Sequence, residues 1–167
     1  MTPRTITLLF VFSYVTLLAF CGGTARPILN DKENAPIAVW DLEDVSPLGE
    51  ARPDLGELLS SQIIETFKNQ GKYTVVERER FLLALEELGL GTTSLVDDNT
   101  RLKLGRIVGA KLMVFGGYQI IGDFMRLDLR LVEVETGKTL KAVAKTTPAS
   151  DLTGMLGVAQ SVAEELL

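Results

Sequence analysis

The sequence predicts an α/β fold, an α+β arrangement in which helices pack against one mixed sheet of about five strands, over residues 36–167. Short apolar runs of strand length alternate with longer segments whose apolar residues recur every three or four positions. One later segment alternates between apolar and polar residues, as a half-buried strand does. The predicted order is β-α-β-α-α-β-β-β-α, and 167 residues can bury a core without disulfides or metals.

The first three elements predict a βαβ unit. Residues 36–40 form a short apolar run, which predicts a buried strand. Apolar residues at helical spacing predict a helix from Asp54 to Gly71, with Asp54 as its cap. Residues 73–76 predict the second strand. Because crossovers of this kind are almost always right-handed and join parallel strands, we expect these two strands to be parallel.

Two helices are predicted next. Residues 77–88 carry apolar side chains on one helical face and are followed by Gly89, which suits the end of a helix. A further helix begins at Asp97 or Asp98, either of which can cap it, and ends at Gly109.

The second half of the chain predicts an antiparallel part of the sheet. Residues 111–121 are mostly bulky and apolar, which favours a central strand. Gly122–Asp123 suits a two-residue hairpin turn. The strand after it alternates until the apolar positions change parity at Leu131–Val132, where we predict a β-bulge. Thr136–Gly137 predicts the next turn.

The last strand and helix complete the predicted domain. Residues 151–167 are apolar enough to predict a packed helix. In the strand before that helix we expect an apolar face and a charged face. Its apolar positions are predicted to be Leu140, Ala142 and Ala144, alternating with Lys141 and Lys145.

The composition excludes several kinds of chemistry. The chain has no histidine, which removes histidine acid/base catalysis and histidine-ligated metal sites. Its one cysteine cannot form an intrachain disulfide or a cysteine cluster. With 17 basic and 22 acidic residues the net charge is -5, so we expect no nucleic-acid partner. No cofactor motif is present, and we expect no cofactor.

The N-terminus predicts export. Residues 1–20 combine Arg4 with a long uncharged apolar run, which is typical of a secretory signal peptide. The alternative is a transmembrane anchor, but the apolar run is shorter than the ~20 residues that a spanning helix needs. Residues 21–35 are largely polar and predict a short tether to the domain.

The single cysteine, Cys21, lies at the end of the apolar run. The four residues 18–21 resemble a bacterial lipobox, in which the cysteine becomes the acylated N-terminus, although Phe20 stands where a small residue is usual. Ordinary cleavage after Ala25 is one alternative, and a cysteine that is merely a small apolar residue is another. We predict acylation at Cys21, and Gly22 after it favours the outer membrane over the inner one.

Five segments of the predicted domain occur in a characteristic order. They are Ile37–Val39, Val75–Arg78, Leu104–Ala110, Val114–Tyr118 and Leu129–Gly137. Together, behind a signal peptide with a terminal cysteine, they resemble the CsgG family, which is named for the curli secretion lipoprotein of bacterial outer membranes. The resemblance covers about residues 36–146.

This resemblance implies an exported domain with a mixed sheet, usually a lipoprotein, without enzymatic activity. The family includes the curli pore subunit, flagellar accessory lipoproteins and, more distantly, LpoB-type activators of peptidoglycan synthases. In the pore-forming member, long amphipathic hairpins that cross the membrane are inserted at two places. Here those places hold only residues 121–124 and 146–150. Because a membrane-spanning strand needs ~9–11 residues, we expect no curli-type pore.

Three carboxylates form the one candidate catalytic cluster. Asp41, Glu43 and Asp44 follow the first strand, and sites gather at the carboxyl ends of parallel strands. Such a cluster can hold Mg²⁺ for phosphoryl transfer. The competing interpretation, which we favour, is an acidic loop exposed to solvent, because no phosphate-binding motif completes the site.

Four charged residues are candidates for a protein interface. Arg78 lies in a charged run at the start of a predicted helix, where pairing with a carboxylate is the simpler explanation. Arg126, Asp128 and Arg130 lie on one face of a predicted strand. That face is either exposed to solvent or a polar subunit interface, since CsgG-family proteins form rings of neighbouring domains.

The sequence therefore predicts a non-catalytic periplasmic lipoprotein, anchored to the outer membrane, that helps to assemble or secrete a cell-surface structure. Its expected partners are envelope proteins, including copies of itself in a homo-oligomer, and the membrane that holds its lipid anchor. One alternative is an LpoB-like regulator of a peptidoglycan synthase. A second alternative is that the protein is an enzyme in which the three carboxylates carry out Mg²⁺-dependent phosphoryl transfer.

Overall fold

A computed structural model of the chain describes residues 34–47, 53–89 and 97–167. The signal peptide, Cys21 and all but the last two residues of the predicted tether lie outside the described residues. Within those ranges the elements are β1 (Pro36–Val39), β2 (Glu43–Asp44), α1 (Pro53–Gln70), β3 (Thr74–Val75), α2 (Arg78–Glu87), α3 (Asp98–Ile107), β4 (Leu112–Ile121), β5 (Phe124–Glu133), β6 (Thr139–Pro148) and α4 (Leu152–Leu166).

The strands form one mixed sheet in the order β3-β1-β4-β5-β6, with β2 also paired to β4. β1 is parallel to both β3 and β4, which confirms the predicted βαβ arrangement. The pairings of β4 with β5 and of β5 with β6 are antiparallel. The α+β fold with a mixed sheet and the predicted order of elements are therefore confirmed, with one strand added.

The added strand, β2, lies where the sequence predicts the start of a loop. Glu43 pairs with Gly117 and Asp44 with Tyr118, parallel to β4. The Val45 N–H extends this pairing by donating to the Tyr118 carbonyl at 2.9 Å. A strand of two acidic residues carries no hydrophobic periodicity, so only its position beside β4 defines it.

One face of the sheet is covered by α1 and α4, which pack against each other. α1 also packs against β1 and β3, and α4 against β5 and β6. From α1, the buried side chains of Leu59, Ile63 and Phe67 enter this main core. The apolar side of β5 faces it from Met125 to Leu131, as the alternating sequence predicts. Each of these positions is nearly or fully withdrawn from water, so this core supplies most of the hydrophobic stabilisation.

The opposite face is covered only in part, by α2 and α3. A second core contains Phe81 of α2, Leu104 of α3 and, from β4, Met113 and Phe115. Asp97, not Asp98, caps α3, because its carboxylate accepts hydrogen bonds from the Asn99 and Thr100 N–H groups.

The predicted bulge is confirmed at Leu131–Val132, where the register with β6 shifts. The facing residue positions are Lys141 and Thr139, so Leu140 has no partner across the ladder. The bulge changes which side each residue of β6 faces.

The predicted apolar face of β6 is therefore wrong. Ala142 and Ala144 are exposed, whereas Val143 is buried against the main core. Lys145 lies on the same side as Val143, and its ammonium group contacts Ser161 Oγ at 2.7 Å and Glu165 Oε2 at 3.0 Å on α4. Of the three predicted apolar positions, only Leu140 packs against the main core. On the α4 side, Val143 is flanked by Lys141 and Lys145 rather than by the alanines.

The two places where the resemblance implies inserted hairpins are both short. Gly122 has a φ of +58° in the turn between Ile121 and Phe124, which are paired directly. Residues 149–151 alone separate β6 from α4. None of the described helices is long and apolar enough to cross a membrane.

Candidate functional site

Part of the second sheet face is left without a covering helix among the described residues. We call this region the open face. Its members come from the second half of β4, from β5 and from β6, and all are exposed or half-buried. They are Gly117, Gln119, Ile121, Phe124, Arg126, Asp128, Arg130, Ala142, Ala144 and Thr146.

A charged pair lies in the middle of the open face. Because residues two apart on a strand share a face, Arg126 and Asp128 stand side by side. The guanidinium group contacts the carboxylate at three distances between 2.8 and 3.1 Å. Hydrogen bonding to Asp128 and its charge raise the pKa of Arg126. This pairing fixes the direction of both side chains while leaving each about half exposed.

The third charged residue of this row, Arg130, is tied to a helix. Its guanidinium group donates to the Asp98 carboxylate of α3 at 2.7 Å. It also lies over the ring of Phe115, 5.5 Å from the centroid. The structure thus brings together the three predicted residues of β5, and α3 borders them.

A fourth arginine, which the sequence did not indicate as a site, lies at the boundary between the open and covered regions. Arg101 of α3 is 7% exposed and forms an ion pair with Glu43 of β2. It also lies 3.5 Å from the Asp98 carboxylate and 5.4 Å from the centre of the Trp40 ring. Burial and the neighbouring Arg130 lower the pKa of Arg101.

The available signal for Arg101 was its spacing of three residues after Asp98, a common helical ion pair that indicates no site by itself. Its contact with Glu43 joins residues 58 positions apart in the chain. Because β2 was not predicted from the sequence, its contact with Arg101 could not be predicted either. Arg101 connects α3 to the edge of the open face.

A shallow depression of about 350 Å³ lies on the open face. Small residues form part of its floor, which brings the backbone close to the surface. The lining includes Phe115, Gly117, Asp128, Arg130, Ala142 and Ala144. Since a Cβ atom at Gly117 would lie 2.9 Å from the Glu43 carbonyl oxygen, glycine is required there for β2 to approach β4.

Arg78 is not part of this face. At the start of α2 it contacts Glu57 of α1 and Asp41, each at 2.9 Å. The predicted pairing of Arg78 with a carboxylate is confirmed. The structure therefore separates Arg78 from the three candidates on β5.

The three carboxylates considered for Mg²⁺ do not converge. Asp41 contacts Arg78, Glu43 pairs with Arg101, and Asp44 accepts from the Tyr118 hydroxyl at 3.2 Å and from the Ser46 N–H at 2.9 Å. Glu43 and Asp44 point to opposite sides of the sheet, because adjacent residues of a strand face opposite ways. Within the part of the chain that the structure describes, no group of three or more potential ligands is placed to hold a metal ion.

The pKa of Asp41 lies above its ordinary value. Partial burial raises the pKa of Asp41, and the nearby charge of Arg78 opposes that effect. A raised pKa can accompany acid/base function. Here it accompanies ion pairs in which Arg78 of α2 joins Asp41 to Glu57 of α1, whose negative charge adds to the rise in pKa.

The fold and the open face define a class: an α+β domain whose mixed sheet has one covered face and one partly open, polar face. The family model described as "Curli production assembly/transport component CsgG" matches residues 26–121, more than half of the chain. The chain therefore belongs to the CsgG family. No curated protein sequence matches it.

Solved structures show the same fold in proteins of low sequence identity. The LpoB C-terminal domain from Salmonella enterica has a TM-score of 0.61 at 19% identity, covering 70% of this chain and 84% of that one. The LpoB C-terminal domain from Escherichia coli has a TM-score of 0.59 at 17% identity with the same coverage. Lipoprotein GNA1162 from Neisseria meningitidis has a TM-score of 0.58 at 20% identity, covering 80% of this chain and 99% of that one.

Proposed function

We propose that this chain is a non-catalytic periplasmic lipoprotein, anchored to the outer membrane, that helps to assemble or secrete a cell-surface structure. It acts by docking onto copies of itself or onto a larger envelope machine. The observation that carries the proposal is the open face, on which ion pairs hold charged side chains in place on a domain of the CsgG family.

The chemistry of the open face suits a protein interface. Arg126 and Arg130 are presented on a rigid strand, and arginine is enriched at protein interfaces. Each is oriented by a carboxylate, so little side-chain freedom remains to be lost on binding. Exposed apolar groups of Ile121 and Phe124 lie at the hairpin end of the same face. The charged side chains at the centre of the open face can orient a partner, and the apolar side chains at its margin can be buried against that partner.

The test of this interface is the oligomeric state of the acylated protein. We expect a ring-sized oligomer by size-exclusion chromatography with light scattering, and its loss in the double variant Arg126→Glu, Arg130→Glu. Arg80→Glu is the matched control, because Arg80 is an exposed arginine of α2 outside the open face. A monomeric wild-type protein that captures only cell-wall synthases would contradict the assembly function. An oligomer that conducts ions in a planar bilayer would contradict the inference drawn from the short connections.

The proposed location depends on Cys21 and has its own test. One neighbour in fold is itself named a lipoprotein, which supports an anchored form. Several acyl chains hold a protein firmly, whereas one chain binds weakly and reversibly. We expect wild-type protein in the outer-membrane fraction and the Cys21→Ser variant in the soluble periplasmic fraction. Equal solubility of both would show cleavage after Ala25 instead.

The second candidate function is regulation of a peptidoglycan synthase, as in LpoB-type proteins. The similarity in fold to two LpoB domains favours it. The predicted tether opposes it, because the 14 residues 22–35 reach at most ~50 Å when fully extended. A pull-down with the acylated protein separates the two functions: secretion or appendage proteins support assembly, and synthases alone support regulation.

A further inference from the structure

The last strand of the sheet, β6, has a long outer edge. The outer edge is the side of Thr139–Pro148 that faces away from β5. Within the described residues, no strand pairs with it. Alternate N–H and C=O groups of an edge strand point outward and can form a ladder with another extended chain. The outer edge is thus a row of hydrogen-bonding groups that an extended segment can satisfy.

The length and regularity of β6 favour such pairing. Its ten residues exceed the usual five or six of a strand. Proteins commonly protect edges with short strands, bulges or prolines. Here the bulge lies at Leu140 and the proline is the last residue, Pro148, so the seven residues between them pair regularly with β5. Seven regularly paired residues are enough for an added strand of the usual five or six residues.

The side chains of β6 define the charge of a fitting partner. The strand contains two lysines and no carboxylate, in a chain whose net charge is -5. Lys141 is exposed, and Lys145 is one-third exposed and forms an ion pair with Glu165 of α4 at 3.0 Å. Both lie on the α4 side of the sheet with Val143 between them. On the other side, Ala142 and Ala144 are small and exposed, so they leave the backbone accessible.

We propose that the outer edge of β6 binds an extended, acidic segment of a partner protein as an added antiparallel strand. Carboxylates four residues apart in that segment would face Lys141 and Lys145, with a small apolar residue facing Val143. Opposite charges across a strand pair stabilise it. This inference stands on the strand edge alone and holds whether or not the open face forms a homo-oligomer.

The same lysines disfavour a second copy of this chain as the occupant. In an antiparallel pairing of two copies of β6 centred on Val143, Lys141 of each copy faces Lys145 of the other. Like charges directly opposite are destabilising. An acidic strand is attracted by the two lysines, whereas a second copy of β6 in this pairing is repelled by them.

The experiment uses two synthetic peptides and the full-length chain in detergent. The peptide TETVTET places glutamates at the positions that face the lysines, and TKTVTKT is its charge-reversed control. We expect fluorescence anisotropy to show at least tenfold tighter binding of TETVTET, with a preference that weakens as salt is added. We expect hydrogen exchange to slow at residues 139–148. TETVTET with N-methyl groups on alternate amides should not bind.

Matched variants test the assignment to this edge. Lys141→Glu should weaken TETVTET at least tenfold and strengthen TKTVTKT. Lys103→Glu reverses an exposed lysine of α3 and should leave both affinities unchanged. Equal affinity for the two peptides, or exchange protection outside β6, would overturn the proposal. Protection of residues 139–148 in a dimer formed without peptide would overturn it in favour of a second copy.

Discussion

The second face of the sheet has two halves, one covered by helices and one open, and the same strands contribute side chains to both. Near the start of β4, Met113 and Phe115 are buried under α2 and α3. Beyond Phe115 the same strand presents Gly117 and Gln119 to the open face. On the opposite side of β4 and β5, the side chains of Leu112, Val114, Leu127 and Leu129 are buried in the main core with α1 and α4. The comparison shows that helix coverage, rather than the strand itself, determines which residues can be polar.

The boundary between these halves is polar and partly buried. Arg101 contacts Glu43 on one side and lies between the Trp40 and Phe115 rings on the other. Arg130 shares Asp98 with it. Ion pairs therefore line the edge of the covered half. The open half begins where these ion pairs are exposed to solvent.

The largest expected effect is in the covered half. Met113→Ala removes a fully buried side chain and should lower the free energy of unfolding by about 2–5 kcal/mol. Gln119→Ala, at a half-buried position of the open half of the same strand, should change it by less than ~0.5 kcal/mol. Urea denaturation of both variants measures the difference. Equal losses would mean that the open half is packed like the covered one.

The next largest effect is at the boundary. Arg101→Leu keeps apolar contact with the aromatic rings but leaves Glu43 without its ion pair. An uncompensated, partly buried carboxylate should cost about 2 kcal/mol of unfolding free energy. The double variant Arg101→Leu, Glu43→Leu should recover part of that loss. If the double variant is as unstable as the single one, packing rather than charge pairing holds the boundary.

A smaller effect concerns pH. Hydrogen bonds from Thr100 and Asn99 hold the pKa of Asp97 below its usual 3.8. A carboxyl group with a lowered folded-state pKa stabilises the fold above its unfolded pKa, and that contribution is lost as the pH falls through the folded pKa. Asp97→Asn retains a capping side chain that does not titrate. We therefore expect the urea midpoint of this variant to fall less between pH 5 and pH 2 than that of wild type.

The smallest effect is expected in the centre of the open half. Asp128→Asn removes the exposed charge pair with Arg126, and exposed pairs contribute little to stability. The urea midpoint should stay unchanged within error, while the oligomer proposed above should weaken. A clear loss of stability would show that this pair supports the fold rather than an interface.

Much of the fold could be predicted because its signals are local. The register shift at Leu131–Val132 was predicted from the change of parity in β5, which the structure explains by Leu131 facing the main core and Val132 the second core. An aspartate cap for α3 was predicted by residue type, although the choice of Asp97 over Asp98 needed the structure. The predicted Arg126, Asp128 and Arg130 share one face because strand geometry alone places them there. The family resemblance was likewise carried by short local segments and their order along the chain.

The remaining features depend on contacts between distant parts of the chain. β2 exists because Gly117 allows it to approach β4, and Arg101 joins the site because β2 brings Glu43 to α3. The sides taken by Ala142 and Val143 follow from the register with β5, which a bulge shifts by one residue. By itself the sequence determined the type and order of the elements, through periodicity and capping within each segment. Only the tertiary structure decided which face of the sheet stays open, because coverage depends on where α2 and α3 pack.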